Sequence, residues 1–243
     1  MGISPDDPEG PRLTFVQHLD ELRGRLGICL IAVAVGSVAS WCFAERLLEW
    51  LKRPAGWYLP MLAVFTPTEA LMAYMKLALG GGIALAMPVM LYHLWHFVQA
   101  GLTWRERALG LAFVWWGSAL FALGAAFAYW VCLPAFLKFL LTIGGPSLQP
   151  VISVDRYLSF VLGIILACGV LFELPLVIVL LAKLGILMPE SLQRHRGMAL
   201  LILTTVAAVV TPTTDAVSLA MMTVPLAVLY EIAILVAKFT VSR

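Results

Sequence analysis

An all-α integral membrane protein, with six transmembrane helices forming a bundle, is the fold class this chain predicts. Three observations carry that prediction. Hydrophobic residues fill 62% of the 243 positions and charged residues only 12%, whereas a soluble domain carries about 25% charged residues. The apolar residues come in unbroken runs, not in the alternation of a transmembrane β-strand. Several runs reach the ~20 residues an α-helix needs to cross a hydrocarbon core about 30 Å thick. The formal net charge of +2 is too small to point to a nucleic-acid partner.

Residues 1–12 (MGISPDDPEGPR) are rich in Pro and Gly, acidic, and expected to form a disordered tail. Residues 13–243 read as a single six-span membrane domain. LTFVQHLDELRGRL opens it, with Thr14 placed to cap a helix and Glu21 four residues before Arg25, a favourable i,i+4 pair. No cleavable signal peptide is evident before the first run, so insertion is expected to depend on the spans themselves. Span one covers about 26–43. The stretch 44–69 carries Pro54, Pro60 and Pro67 with mixed charges. It reads as an extramembrane loop with a short amphipathic helix at 45–53, and Thr66 or Thr68 can cap the next helix. Span two, about 70–98, holds Lys76, a Gly80–Gly82 cluster and Pro88. Span three, about 109–133, ends at Pro134 and is followed by a second long loop to 156. Span four, about 157–182, is apolar apart from Glu173, two residues before Pro175. The last two spans read as short, about 198–210 and 216–237, joined by the turn TPTTD. The fifth is too short for an average bilayer and implies local thinning or buried ends.

Six crossings put both termini on one side. Ten basic residues then lie on the terminus side (Arg12, Arg23, Arg25, Arg105, Arg107, Lys183, Arg194, Arg196, Lys238, Arg243) and six on the other (Arg46, Lys52, Arg53, Lys76, Lys138, Arg156). The positive-inside rule therefore expects both ends in the cytoplasm.

No phosphate-binding loop, H-E-x-x-H or G-x-S-x-G motif occurs in the chain. The chain is thus expected not to be an enzyme and to carry no catalytic residue, cofactor or metal. His93 and His96 stand three apart with no carboxylate close in sequence, which favours hydrogen bonding near an interface over metal ligation. Cys29, Cys42, Cys132 and Cys168 lie in or beside apolar runs without a C-x-x-C pair and read as small apolar side chains. Glu21, ahead of span one, and Glu106, between spans two and three, stand among arginines. Each can pair internally, Glu21 with Arg25 and Glu106 with Arg105 or Arg107, or can bind an incoming guanidinium through charge-assisted hydrogen bonds. Glu173 is an ionisable group at membrane depth, which is costly and by default functional. It reads as a proton-relay acid, as a neutral acid hydrogen-bonded in the bundle, or as a contact for a partner's transmembrane helix. Pro175 adds polarity by freeing the carbonyl of Leu171.

Eight blocks in order make the chain resemble a known family. They are HLDELRGRL (18–26), FTPTEALMAYMK (65–76), PVMLYHLWHF (88–97), FAYWVCLPAFLKFL (127–140), VDRYLSFV (154–161), FELP (172–175), TPTTD (211–215) and PLAVLYE (225–231). The resemblance is to TatC, the multi-spanning signal-peptide receptor subunit of the twin-arginine protein translocase, and it covers nearly the whole chain. It implies a concave six-helix receptor in a bacterial-type cytoplasmic (inner) membrane, with both termini cytoplasmic and no catalysis. The implied partners are twin-arginine signal peptides of folded cargo and single-span TatA/TatB-type subunits, in an oligomeric complex driven by the proton-motive force. By position, Glu21 and Glu106 resemble the carboxylates that contact the signal arginines, with Arg23, Arg25 and Phe97 in the same cytoplasmic patch. Glu173, with Thr211 and Pro212, resembles the intramembrane contact with partner helices, and Asp215 the acid of the last extracytoplasmic turn. His93 where Gln is frequent, Ala100 where Pro is frequent, and the TPTTD form of the last turn depart from common patterns and bear on loop geometry. The competing function is a proton-coupled small-solute transporter with Glu173 as relay. Such a transporter would often show internal repeats, and none is convincing here.

Overall fold

The structure, a computed structural model, describes residues 15–58, 61–99, 110–142, 151–211 and 215–241. The expected tail at 1–12 and the Thr14 cap lie outside these residues. The first helix, α1, runs Phe15–Trp41, and a short amphipathic helix, α2, follows at Ala44–Lys52. A 3-10 turn at Arg53–Tyr58 leads to the loop before α3, Glu69–Val98. The third crossing is α4, Gly110–Phe127, a π turn at Ala128–Cys132, and α5, Leu133–Thr142. The fourth is α6, Val154–Leu171, and α7, Leu174–Lys183. A short helix α8, Pro189–Arg194, precedes α9, Arg196–Val210, and α10, Ala216–Val241. Among the described residues five crossings are long and apolar enough to span a membrane, and α9 is a shorter apolar helix. The one isolated β pairing among them is a parallel bridge between Ala63 and Ser153.

Three local expectations change. Helix continues past Pro134 to Thr142, where the sequence suggests a loop. Proline lacks an N–H and its ring clashes with the carbonyl four residues back, here Trp130. The π turn absorbs this: Leu133 N–H bonds to Ala128 O, five residues earlier. Second, only α9, at 15 residues, is short. The last helix has 26 residues and runs through Pro225 without a break. Third, neither Thr68 nor Thr66 caps α3 with its side chain. Glu69 reaches back instead, and its Oε2 accepts from Phe65 N at 2.7 Å and Thr66 N at 3.3 Å.

Packing follows the small residues and the aromatic anchors. α1 lies along α3, and the approach is close enough that a Cβ on Gly36 would meet Gly82 O at 2.8 Å. α3 packs on α4 and α6, α4 on α6, α7 on α10 and α9 on α10. The fully buried core gathers Leu133 and Phe136 of α5, Tyr157, Leu158 and Val161 of α6, and Met222, Leu226 and Ile234 of α10. At the face away from the termini, α2 is tied down by two of its last carbonyls, one of which, Trp50 O, also accepts from Arg53 N–H. Tyr129 Oη donates to Trp50 O at 2.8 Å and Tyr157 Oη to Leu51 O at 2.7 Å. The Trp50 and Tyr129 rings stack at 4.0 Å. Backbone bonds from Ala63 N to Ile152 O and from Val154 N to Ala63 O, both 3.0 Å, join the loop before α3 to the start of α6.

Candidate functional site

At the terminus face, α1 and α3 run antiparallel, so the first turns of α1 meet the last turns of α3. Glu21 and Arg25, one turn apart, pair as their spacing suggests. Arg25 Nε donates to Glu21 Oε1 at 3.0 Å, and a second guanidinium N–H donates to the same oxygen. Both side chains are partly shielded, Glu21 at 27% exposure and Arg25 at 20%. Arg23 is exposed. Across on α3, His93 lies within electrostatic reach of Arg25. Phe97, one turn beyond His93, is half-buried. Tyr92 sets its ring edge-on to His93 and His96, with centroids 5.4 and 5.0 Å apart, and His96 Nδ1 bonds to Gln99 Nε2. The structure thus brings Glu21, Arg25 and the end of α3 together. Glu106 lies outside the described residues. Sequence reasoning placed His93 near an interface as a hydrogen bonder but not in this patch, and its Nδ1 has no hydrogen-bond partner among the described residues. Its signal was weak, because only the antiparallel pairing of α1 with α3 puts it opposite Arg25.

The second candidate is Glu173. Pro175 ends the α6 hydrogen-bond ladder, since it cannot donate to Leu171 O, and Phe172 and Glu173 form the turn between α6 and α7. Glu173 N still bonds to Val170 O at 3.1 Å, and Val177 N to Glu173 O at 3.0 Å, so the crossing bends without opening. The carboxyl is 6% exposed, and neither oxygen has a hydrogen-bond partner among the described residues. Room for it comes from Gly117 of α4: a Cβ there would stand 3.3 Å from Glu173 Oε2 and closer still to Leu91 and Leu176. Glu173 sits about 15 Å from Lys183 along the helix, at 1.5 Å per residue. Leaving a buried acceptor unsatisfied costs about 1–3 kcal/mol, so a group that donates to it is favoured.

Thr211, just past the end of α9, is buried, and its Oγ1 also has no partner among the described residues. Pro212 lies outside them. Asp215 begins α10 as its cap: Oδ2 accepts from Ser218 N at 2.7 Å and its carbonyl accepts from Leu219 N. The described residues hold no cluster of three His, Cys, Asp or Glu side chains placed to bind a metal.

The family model for the Sec-independent protein translocase protein TatC matches residues 17–225. The chain belongs to the TatC family. Its relatives include the Sec-independent protein translocase protein TatC of Carboxydothermus hydrogenoformans, 36% identical over 231 residues, 95% of each chain. The TatC of Aquifex aeolicus is 37% identical over 235 residues, covering 95% of this chain and 97% of that one. Among solved structures, a crystal structure of the twin-arginine translocase receptor TatC superposes with a TM-score of 0.79 at 38% identity. It covers 93% of this chain and all of its own. The family supplies a translocase component and not an enzyme. With its apolar crossings, this TatC-family chain is a multi-pass membrane protein. Neither the match nor the geometry favours the solute-transporter reading.

Proposed function

We propose that the chain is the signal-peptide receptor and core subunit of a twin-arginine translocase, binding the consecutive arginines of folded cargo at its terminus face. Glu21 and Glu106 are the receiving carboxylates, with Arg23, Arg25 and Phe97 around them. What supports this reading is that Glu21 already holds a guanidinium, that of Arg25. A carboxylate so placed presents the geometry an incoming arginine needs, and the incoming residue takes the place of the internal one. The exchange replaces one ion pair by another of the same kind, so its net gain is small at each carboxylate, and two carboxylates reading two arginines supply selectivity.

In this reading residues 13–243 form one six-crossing domain in a bacterial-type cytoplasmic membrane, with both termini in the cytoplasm. Glu173, Thr211 and Pro212 contact the helices of single-span TatA/TatB-type subunits. The buried, unsatisfied carboxyl of Glu173 suits a donor from such a helix, reached by local displacement of its covering side chains. Asp215 holds the last extracytoplasmic turn. The working complex is oligomeric, and export is driven by the proton-motive force. The test is photo-crosslinking of the purified protein to a twin-arginine signal peptide and to its twin-lysine counterpart. Strong labelling by the arginine form alone is the expected result, and equal labelling by both rejects the proposal.

A further inference from the structure

At the face away from the termini, the starts of α3 and α6 line an open cavity of about 710 Å³, within the range of sites that bind small molecules. Its charges fall into two pairs with different histories. Lys76 and Asp155 satisfy one another at 2.6 Å, and Lys76 Nζ also donates to Ser159 Oγ at 2.8 Å. This pair is internally neutral. Glu69 and Arg156 also line the cavity, and they are not spent on each other. The Glu69 carboxylate is held in place by two backbone N–H groups of its own loop, with the Ser153 hydroxyl and the Asp155 N–H at the start of α6 also donating toward it. Arg156 is exposed; its backbone N–H is used on Ser153 Oγ, and its guanidinium has no ion-pair partner among the described residues. Exposed Met72 and Val151 give the same cavity an apolar rim. It opens where two transmembrane helices begin, at the depth of lipid headgroups.

One fixed anion, one cation without an ion-pair partner among the described residues, and an apolar rim at headgroup depth are complementary to a zwitterion that carries acyl chains. We propose that this cavity binds a phospholipid of the phosphoethanolamine class, with Arg156 on the phosphate and Glu69 on the ammonium. A guanidinium takes phosphate oxygens in a forked, charge-assisted pair. Glu69 accepts from the ammonium N–H groups, which a choline headgroup lacks and a glycerol headgroup does not replace by charge. The headgroup lies between α3 and α6 and adds to the 63–153 backbone pairing and the Lys76 contacts that already join these two crossings at this end.

The experiment uses the full chain in nanodiscs, with photoactivatable phosphatidylethanolamine and, in parallel, photoactivatable phosphatidylglycerol. The ethanolamine probe is expected to label peptides spanning 65–76 and 151–156 about fivefold more than the glycerol probe, and unlabelled phosphatidylethanolamine to compete. Arg156→Gln, at an exposed position, lowers that labelling about fivefold with an unchanged melting temperature, and Arg156→Lys restores part of it. Glu69→Gln narrows the preference between the two probes. Equal labelling of these peptides by both probes overturns the proposal, as does labelling that Arg156→Gln leaves intact.

Discussion

The two membrane faces of the molecule are held in different ways. Away from the termini, two buried or half-buried tyrosines donate to the last carbonyls of α2, a backbone bridge joins the α3 loop to α6, and Lys76 pairs with Asp155. Each of these joins residues far apart in the chain. At the terminus face one tyrosine does likewise, Tyr230 Oη donating to Leu192 O at 3.0 Å, but the ion pairs among the described residues are one within a single turn of α1, Glu21 with Arg25, and an exposed one, Arg196 with Glu231 at 2.8 Å. Buried hydrogen bonds resist opening, while partly exposed ion pairs exchange partners at small cost. One face is built as a clamp, and the other as a surface on which a ligand's charges can replace the protein's own.

Mutation can break or sharpen this contrast. The largest effect is expected from charge reversal at Glu21 or Glu106. Glu21→Arg should weaken crosslinking to a twin-arginine peptide tenfold or more, about 1.4 kcal/mol or above, with membrane insertion and thermal stability retained. Export that continues at the normal rate in such a variant would remove the proposed receptor. Next, Tyr157→Phe leaves the buried Leu51 carbonyl without its side-chain donor. Denaturant unfolding should show a loss of about 1–3 kcal/mol, with the peptide affinity of the folded fraction unaltered. A change in peptide affinity with no loss of stability would put the clamp on the wrong face. Arg196→Ala removes an ion pair whose members are about half exposed, and the same titration should move by no more than about 1 kcal/mol. The smallest change is expected for Glu173→Gln. A carboxyl without a partner among the described residues loses nothing when its charge is removed for good, so folding, complex assembly and export should persist. Abolished export with intact assembly would instead make proton transfer at this position necessary.

Much of the architecture is legible in the sequence because hydrocarbon imposes long apolar runs and proline punctuates them. The α2 helix, the break before Pro175 and the Glu21–Arg25 pair all follow from spacing within a few residues. Pro134 shows the limit: proline usually ends a helix, but a π turn one step upstream lets the helix continue, and no local pattern distinguishes the two. Contacts between distant segments were also out of reach. Tyr157 meets Leu51 across 106 positions, and Lys76 meets Asp155 across 79. His93 likewise faces Arg25 only once α1 and α3 pack. The buried state of Glu173 was legible from its surroundings, whereas the pocket that Gly117 leaves for it was not.

The π turn at 128–132 also lets this crossing carry one residue more than a regular helix would. Below it Leu133, Phe136 and Leu137 enter the core, and above it Phe121 and Gly124 do. Each residue of an α-helix turns the chain by about 100°. A π turn takes up one residue more than an α turn, so deleting one residue from AYWVC can restore an ordinary α-helix with α5 still in phase, whereas adding one would turn α5 by about that angle and carry Phe136 toward the lipid. The segment therefore acts as a one-residue reserve: the crossing can give that residue up and keep its faces, but it cannot take another.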